Sequence, residues 1–240
     1  MPQTHELEIR EVVQETPQDR TFVLAIPAAA AETFRFVPGQ FVTVIDPADE
    51  VVPPRKKAYS ISSSPLDAGR VEVTVRDMGA FGERFFHFAP GKVLSVIPPR
   101  GRFTLDPVVT DDLVLTAGGS GVTPYRGFLR YLRSKGHALP VSLLYSARLP
   151  AELVFDAEFR RHAAECPWFR YVPTVTRLDP AQPFDGMRGR LSIETARPFV
   201  RDPARTTWYA CGPNEFVDAS LSIAEALGIA AVKRKKEKWG

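Results

Sequence analysis

Cysteine and histidine are both scarce in this chain of 240 residues. Two cysteines, Cys166 and Cys211, cannot make a disulfide framework, a four-cysteine iron–sulfur site or a zinc ribbon. Four histidines, His5, His87, His137 and His162, show no ligand spacing, so no metal is expected. No apolar run approaches the length that spans a bilayer; the blandest stretch, AIPAAAAETF, is short and holds Pro27 and Glu32. A basic segment followed by an apolar core is missing from the first residues, so a secretory signal is not expected and a cytoplasmic location is. Charge of one sign is lacking too. The net charge is +3 with much of the excess in the last eight residues, which supports attraction to nucleic acid weakly, and no nucleic-acid partner is expected. The sequence contains neither an internal repeat nor a low-complexity segment.

What is present is an ordinary globular composition, 44% apolar and 25% charged, in a chain long enough for one large domain or two modest ones. The first hundred residues hold short alternating runs, TFVLAI, QFVTVI, AYSIS, VEVTV and KVLSVI, separated by turn clusters such as VPGQ, DPADEVVPP and SSSPLDAG. That pattern predicts an antiparallel barrel or sandwich. From Asp112 the period changes. LVLTA is a continuous apolar run, as in a strand buried on both faces, and leads through GGSGVTP into YRGFLRYLRSKG, where Phe128, Leu129 and Leu132 form a helical stripe. Strands and helices then alternate through VSLLYSA, FDAEFRRHAAE, WFRYVPTVT, SIETARPFV, TWYAC and NEFVDASLSIAEALG, which predicts a doubly wound parallel sheet. The boundary is expected in PPRGRFTLDP, residues 98–107, dividing the chain into domains 1–105 and 106–240.

Three stretches carry chemistry. In AGGSGVTP, Gly119 and Gly121 allow a sharp turn and close approach of a ligand to backbone N–H groups, while Thr123 suits a helix cap and Pro124 a first turn. Such a helix start attracts phosphate, although it is neither a Walker A loop nor a GxGxxG fingerprint, and a purely structural turn explains it equally well. TWYACGPNEF repeats the arrangement, with Gly212 and Pro213 opening a helix, Asn214 suited to its cap, and Cys211 at a strand's carboxyl end, where open α/β sheets bind ligands. Taken alone, Cys211 reads better as a small buried thiol. In RKKAYSISSSP, strand alternation puts Arg55, Lys57 and Tyr59 on one face and Ala58 and Ser60 on the other. Two cations beside a tyrosine suit a ligand with a phosphate and a flat ring; a solvated strand face is an even alternative.

In this order, Lys57-Ala58-Tyr59-Ser60, Gly119-Ser120-Gly121-Val122-Thr123-Pro124, Cys211-Gly212-Pro213 and Glu237-Lys238-Trp239 resemble the ferredoxin–NADP reductase family of flavoproteins. Pro38-Gly39-Gln40, Pro99-Arg100-Gly101-Arg102-Phe103 and Gly189-Arg190 add to the resemblance, which covers nearly the whole chain. It implies a six-stranded antiparallel FAD-binding barrel, an NAD(P)-binding α/β domain, and hydride passing from nicotinamide to flavin at the cleft between them. By this resemblance Tyr59 would pack on the isoalloxazine, with Ala58 and Phe81 among the flavin contacts, and Ser60 would hydrogen-bond near the reactive nitrogen. Lys57, with Arg55 in support, would meet the pyrophosphate, and Val75, Arg76 and the Gly79–Gly82 turn would follow the ribityl and phosphate portion. Gly119, Gly121, Thr123 and Pro124 would cradle the nicotinamide nucleotide, with Gly212 and Pro213 beside it. Cys211 and Glu237 would flank the point of hydride transfer, with Ser60 making up the catalytic set. Lysine at 57 and glycine at 82 depart from the family's usual arginine and Ser or Thr.

Ser146 and Arg148, with no acid before Glu152, favour NADPH over NADH as donor. The acceptor implied by the resemblance is a separate carrier, a ferredoxin or flavodoxin, which the basic tail could steer; free flavin or another small acceptor is the alternative, and a non-catalytic flavin-binding module a third. A monomer is expected. In the closing KRKKEKWG, residues 233–236 read as a solvated tail and the preceding GIAAVK as a last strand. Glu237 and Trp239 match the acid-x-aromatic ending of the family, in which the ring covers the flavin face that nicotinamide must reach.

Overall fold

The computed structural model describes residues 4–45 and 55–239. The turn cluster read at 46–54, the first three residues and Gly240 lie outside the described residues. The chain divides into two compact units. One runs to Leu105 and includes Thr123–Ser134; the other comprises Asp106–Val122 and Lys135 onward.

The first unit is built on six antiparallel strands, β1 (His5–Thr16), β2 (Asp19–Ala25), β3 (Phe41–Ile45), β4 (Lys56–Ser60), β5 (Arg70–Arg76) and β6 (Val93–Arg100), in the order β4-β3-β6-β1-β2-β5. A bridge between Ile61 and Val73, and the Ser62 N–H donating to the Glu72 carbonyl at 2.9 Å, bring the two outer strands together and close the barrel. Alternation puts Leu7, Ile9, Phe22, Leu24, Val42, Val44, Val71, Val73, Val75, Leu94 and Val96 inside, none of them exposed. β1 escaped the strand pattern because Leu7 and Ile9 are followed by a bulge between Ile9 and Glu11, after which the alternation breaks, with Arg10, Glu11, Val13 and Gln14 all exposed.

Two helices belong to this unit. Helix α1 (Gly79–Phe86) stands where the sequence reads as a turn, and it packs Phe85 into the barrel core. Arg20 holds its far end, with the guanidinium 4.3 Å over the Phe86 ring and donating to the Phe86 carbonyl at 2.9 Å. Helix α2 (Thr123–Ser134) packs against the segment after β4, where a Cβ on Gly127 would come within 2.9 Å of the Ser63 carbonyl oxygen. Its Arg126 donates at 2.6 Å to Glu72, a carboxylate only 4% exposed. Arg130 at 3.2 Å and Arg70 at 3.4 Å add to it, so the buried carboxylate is held by three cations, as a buried charge needs to be.

The second unit is a parallel sheet of β7 (Asp112–Gly118), β8 (Val141–Ala147), β9 (Phe169–Val175), β10 (Met187–Arg188), β11 (Thr206–Pro213) and β12 (Arg234–Trp239), in the order β10-β9-β8-β7-β11-β12. Helices α3 (Asp156–Glu165), α4 (Ile193–Ala196) and α5 (Asn214–Ala226) connect its strands. Val114, Trp208, Ala210, Val217, Ala224 and Ile229 form the core beneath α5. A buried polar relay runs through it: Trp208 Nε1 donates to Ser220 Oγ at 2.9 Å, and Ser220 Oγ lies 2.7 Å from Thr116 Oγ1. Strand order reverses between β7 and β11, so ligands are expected outside the carboxyl ends of those two strands.

The closing stretch differs from its sequence reading. GIAAVK is a turn followed by the 3-10 segment Ala231–Lys233, and the last strand is the basic stretch itself, β12, paired in parallel with β11. Nor is 233–236 a solvated tail. Lys233 donates to Asp111 at 2.7 Å, Arg234 lies 3.2 Å from Glu225, and Lys235 is paired with Asp106 and lies 5.3 Å from the Tyr209 ring centre. An edge strand rich in lysine resists pairing with other chains, and here the sheet's own acids offset its charge. Among the described residues no helix is long and apolar enough to cross a membrane.

Candidate cofactor sites

In the first unit, β4 brings Lys57 and Tyr59 to the same end of the barrel as the start of α1. Tyr59 is 7% exposed, and its ring stacks 6.3 Å from Phe81 and meets Phe85 edge-on at 5.4 Å. Lys57 Nζ lies 5.7 Å from the centre of the Tyr59 ring. Lys57 is exposed, yet partial desolvation of its ammonium on β4 and beside α1 holds it below the usual lysine range, and it makes no ion pair among the described residues. Glycine at 82 admits this closeness: a Cβ there would lie 2.8 Å from the Arg76 carbonyl oxygen and 3.8 Å from Lys57 Nζ. α1 starts after Met78 with no side-chain cap and no acid in its first turn, so its first N–H groups and the helix dipole are left for an anion. An unpaired cation, an uncapped helix start and an aromatic shelf fit a cofactor with a phosphate at one end and a flat ring at the other.

The remaining expected residues divide. Ser60 ends β4 opposite Phe41, half-buried, while Ala58 and Arg55 are exposed. Val75 is fully buried in the barrel core. Arg76 is committed to structure: its Nε and one terminal nitrogen each donate at 3.0 Å to Asp19, a carboxylate 1% exposed. The partner lies 57 residues earlier, which nothing local in the sequence reveals.

At the strand reversal of the second unit, Cα pairing sets Cys211 between Ala117 on β7 and Glu237 on β12, with Pro213 opposite Trp239. The turn after β7 is crowded. A Cβ on Gly121 would overlap the Cys211 carbonyl oxygen and lie 2.7 Å from the Trp239 ring, whereas Gly119 has open space and is needed for its φ of +55°. Cys211 is fully buried, and burial followed by the charge of Glu237 pushes its thiol up, so it stays protonated. Burial also pushes the Glu237 carboxyl up to about 7, and its buried Oε2 has no hydrogen-bond partner among the described residues. An orphaned carboxyl beside a neutral thiol is a site awaiting a polar ligand group. Thr123 is the first residue of α2, not its cap, and both it and Pro124 are buried. Asn214 likewise opens α5, with Pro213 in the cap position and no side-chain cap.

A cavity of about 230 Å³ adjoins this reversal, lined by residues that include Ser146, Thr176, Arg190, Pro213, Glu215 and Phe216. Gly212 precedes it at the end of β11. Arg148 is exposed and does not line it; its carbonyl accepts the Arg177 N–H at 2.9 Å. Thr176 and Glu215 escaped the sequence reading, and Arg190 entered it only as part of a motif.

Residues 6–105 match the oxidoreductase FAD-binding domain model, and residues 115–221 match the oxidoreductase NAD-binding domain model. The chain is 32% identical over 217 residues to ferredoxin–NADP reductase B of Sorangium cellulosum, covering 86% of each protein. The chain belongs to the ferredoxin–NADP reductase family. It is also 29% identical over 227 residues to the ferredoxin reductase component of 3-ketosteroid-9-alpha-monooxygenase from Rhodococcus rhodochrous, covering 93% of this chain and 61% of that protein. It spans between 61% and 64% of the length of the oxygenase reductase components it matches. Among solved family members, the ferredoxin NADP+ reductase of Neisseria gonorrhoeae with bound FAD and NADP is 25% identical, with a TM-score of 0.83 over 99% of both chains. The antiparallel barrel, the parallel sheet and the FAD and nucleotide cofactors expected from the resemblance agree with the family.

Proposed function

We propose that this chain is an FAD-dependent NAD(P)H oxidoreductase that takes hydride from the nucleotide and delivers electrons to a separate carrier of the ferredoxin or flavodoxin kind. Residues 1–105 form its FAD-binding domain and 106–240 its nucleotide-binding domain. The observation that carries the reading is the strand reversal of the second unit, where a glycine-lined turn, the protonated Cys211 thiol and the orphaned Glu237 carboxyl converge. FAD, when bound, accepts hydride and allows a two-electron donor to serve one-electron acceptors. The chain's own residues bind and align. Lys57 and the α1 N–H groups meet the pyrophosphate, Tyr59 and Phe81 offer a flat surface to the ring, and Ser60 donates a hydrogen bond at its edge. Gly119, with open space before it, lets the dinucleotide's phosphates approach the backbone, while Gly121 makes room for the Cys211 carbonyl and the Trp239 ring. Glu237, ionising near neutrality, can hold or release a proton at the site.

The carrier reading no longer draws on the basic tail, since Lys233, Arg234, Lys235 and Lys238 are each paired with an acid. That favours a second reading in which free flavin or another small molecule receives the electrons. Anaerobic titration with NADPH and NADH decides the first step: bleaching of a yellow protein supports the reductase, and a colourless protein that oxidises neither nucleotide overturns it. Turnover with cytochrome c with and without ferredoxin, set against free FMN, decides the acceptor. Efficient FMN reduction with no gain from ferredoxin removes the protein carrier. A monomer should elute at the mass of one chain in light-scattering chromatography.

A further inference from the structure

The cavity beside the strand reversal has hydroxyls from Ser146 and Thr176 and apolar surface from Pro213 and Phe216, which suits a ribose with a flat base. Two opposite charges stand in it, Arg190 and Glu215, and neither side chain makes an ion pair or hydrogen bond among the described residues. Unpaired charges lining a cavity are available to a ligand. Glu215 is also out of keeping with its surroundings. Helices α1 and α2 follow candidate phosphate turns and carry no acid in their first turn, while α5, which follows Gly212-Pro213, carries Glu215 there. A carboxylate at a helix start competes with a phosphate for the same N–H groups and the same end of the dipole.

An acid favours the free 2′-hydroxyl of an adenosine ribose, and a cation favours a 2′-phosphate. We propose that Glu215 sets the choice between NADH and NADPH by opposing Arg190 at the adenosine end of the nucleotide. The inference rests on the reductase reading of this unit. Its consequence is a charge-balanced pocket, in which neither nucleotide is preferred by more than about tenfold. A carboxylate a few ångströms from a dianionic phosphate costs it roughly tenfold in affinity even at the fully screening dielectric of bulk water.

The test compares wild type, Glu215→Gln and Arg190→Gln in two measurements. Anaerobic flavin reduction gives kcat/KM for NADPH and for NADH, and calorimetry gives the affinities of adenosine 2′,5′-bisphosphate and 5′-AMP. Glu215→Gln should raise the NADPH-to-NADH ratio and the bisphosphate-to-AMP ratio by about five- to tenfold each, and Arg190→Gln should lower both. A Glu215→Gln protein whose two ratios stay within about twofold of wild type overturns the assignment. If neither dinucleotide reduces flavin in wild type, the reductase reading fails, and the calorimetric ratios alone decide the role of Glu215.

Discussion

Replacing Glu237 by glutamine should make the second unit more stable at alkaline pH and leave it little changed in acid. Burial raises the carboxyl from 4.5 to about 7, and Oε2 has no partner, so the folded state holds this proton more tightly than the unfolded chain does. A group with a raised folded-state pKa costs stability as pH rises: nothing is lost below about 4.5, the loss grows through neutrality, and it is complete above about 7. At 1.36 kcal/mol per pKa unit the ceiling is about 3 kcal/mol, and the partial exposure of the strand cuts this to about 1–2 kcal/mol. Glutamine keeps the shape and any unmet hydrogen bond at every pH but carries no charge, so comparing two pH values isolates the ionisation. The assay is urea unfolding at pH 5 and pH 8.5 followed by tryptophan fluorescence. All three tryptophans, Trp168, Trp208 and Trp239, lie in the second unit, so the signal reports that unit. The variant should gain about 1–2 kcal/mol relative to wild type between the two pH values. Parallel curves with a pH-independent offset would refute the buried ionisation and with it the proton-holding role of Glu237.

Lys57→Met should weaken FAD binding about tenfold or more, measured by titrating FAD into the flavin-free protein, and an unchanged affinity would remove Lys57 from the pyrophosphate site. Because burial already lowers the Lys57 pKa, wild-type affinity for FAD should fall with rising pH before the usual lysine range is reached, a slope the variant should lack. Gly39→Ala should cost at least about 3 kcal/mol, since φ is +99° and the new methyl would overlap the Phe103 carbonyl oxygen and approach Phe128 to 2.7 Å; a thermal melt within a degree of wild type would contradict the close approach. Ser60→Ala should slow flavin reduction while FAD stays bound, and an unchanged stopped-flow rate would count against its hydrogen bond. Trp239→Ala should alter nucleotide affinity or turnover without loss of fold, because its ring lies against Gly121.

Much of the fold was legible where one interaction, burial, dominates. β2, β3, β5 and β6 follow their alternation, and β7, buried along nearly its whole length, follows its continuous apolar run. Legibility ended where partners are distant in sequence. β12 carries almost no apolar residue, and it stands as a strand beside β11 with Asp106, Asp218 and Glu225 brought to its cations by the fold. The resemblance sets Arg76 along the flavin, and nothing local shows that its guanidinium also holds Asp19, 57 residues earlier. α1, with Gly79 and Gly82 in its first turn, reads as a turn because two glycines disfavour a helix, and only the packing of Phe85 into the barrel core overrides them.

Local rules are suspended at particular places. α4, away from the glycine turns, has a full capping box: the Ser192 N–H donates to Thr195 Oγ1 at 2.9 Å, the Thr195 N–H donates to Ser192 Oγ at 3.3 Å, and Glu194 lies in the first turn. α3 lacks a side-chain cap but has Asp156 and Glu158 against its dipole. α1 has neither device, α2 issues from the Gly119–Val122 turn with no acid, and α5 has only Glu215. A missing cap costs about 1 kcal/mol in a protein whose other helix was given one. Forgoing that stabilisation in α1, beside an unpaired Lys57 and with no acid in the first turn, is what a helix start reserved for phosphate requires. Glu215 is the partial exception, and it lines the cavity where a hydroxyl, in place of a phosphate, would account for an acid.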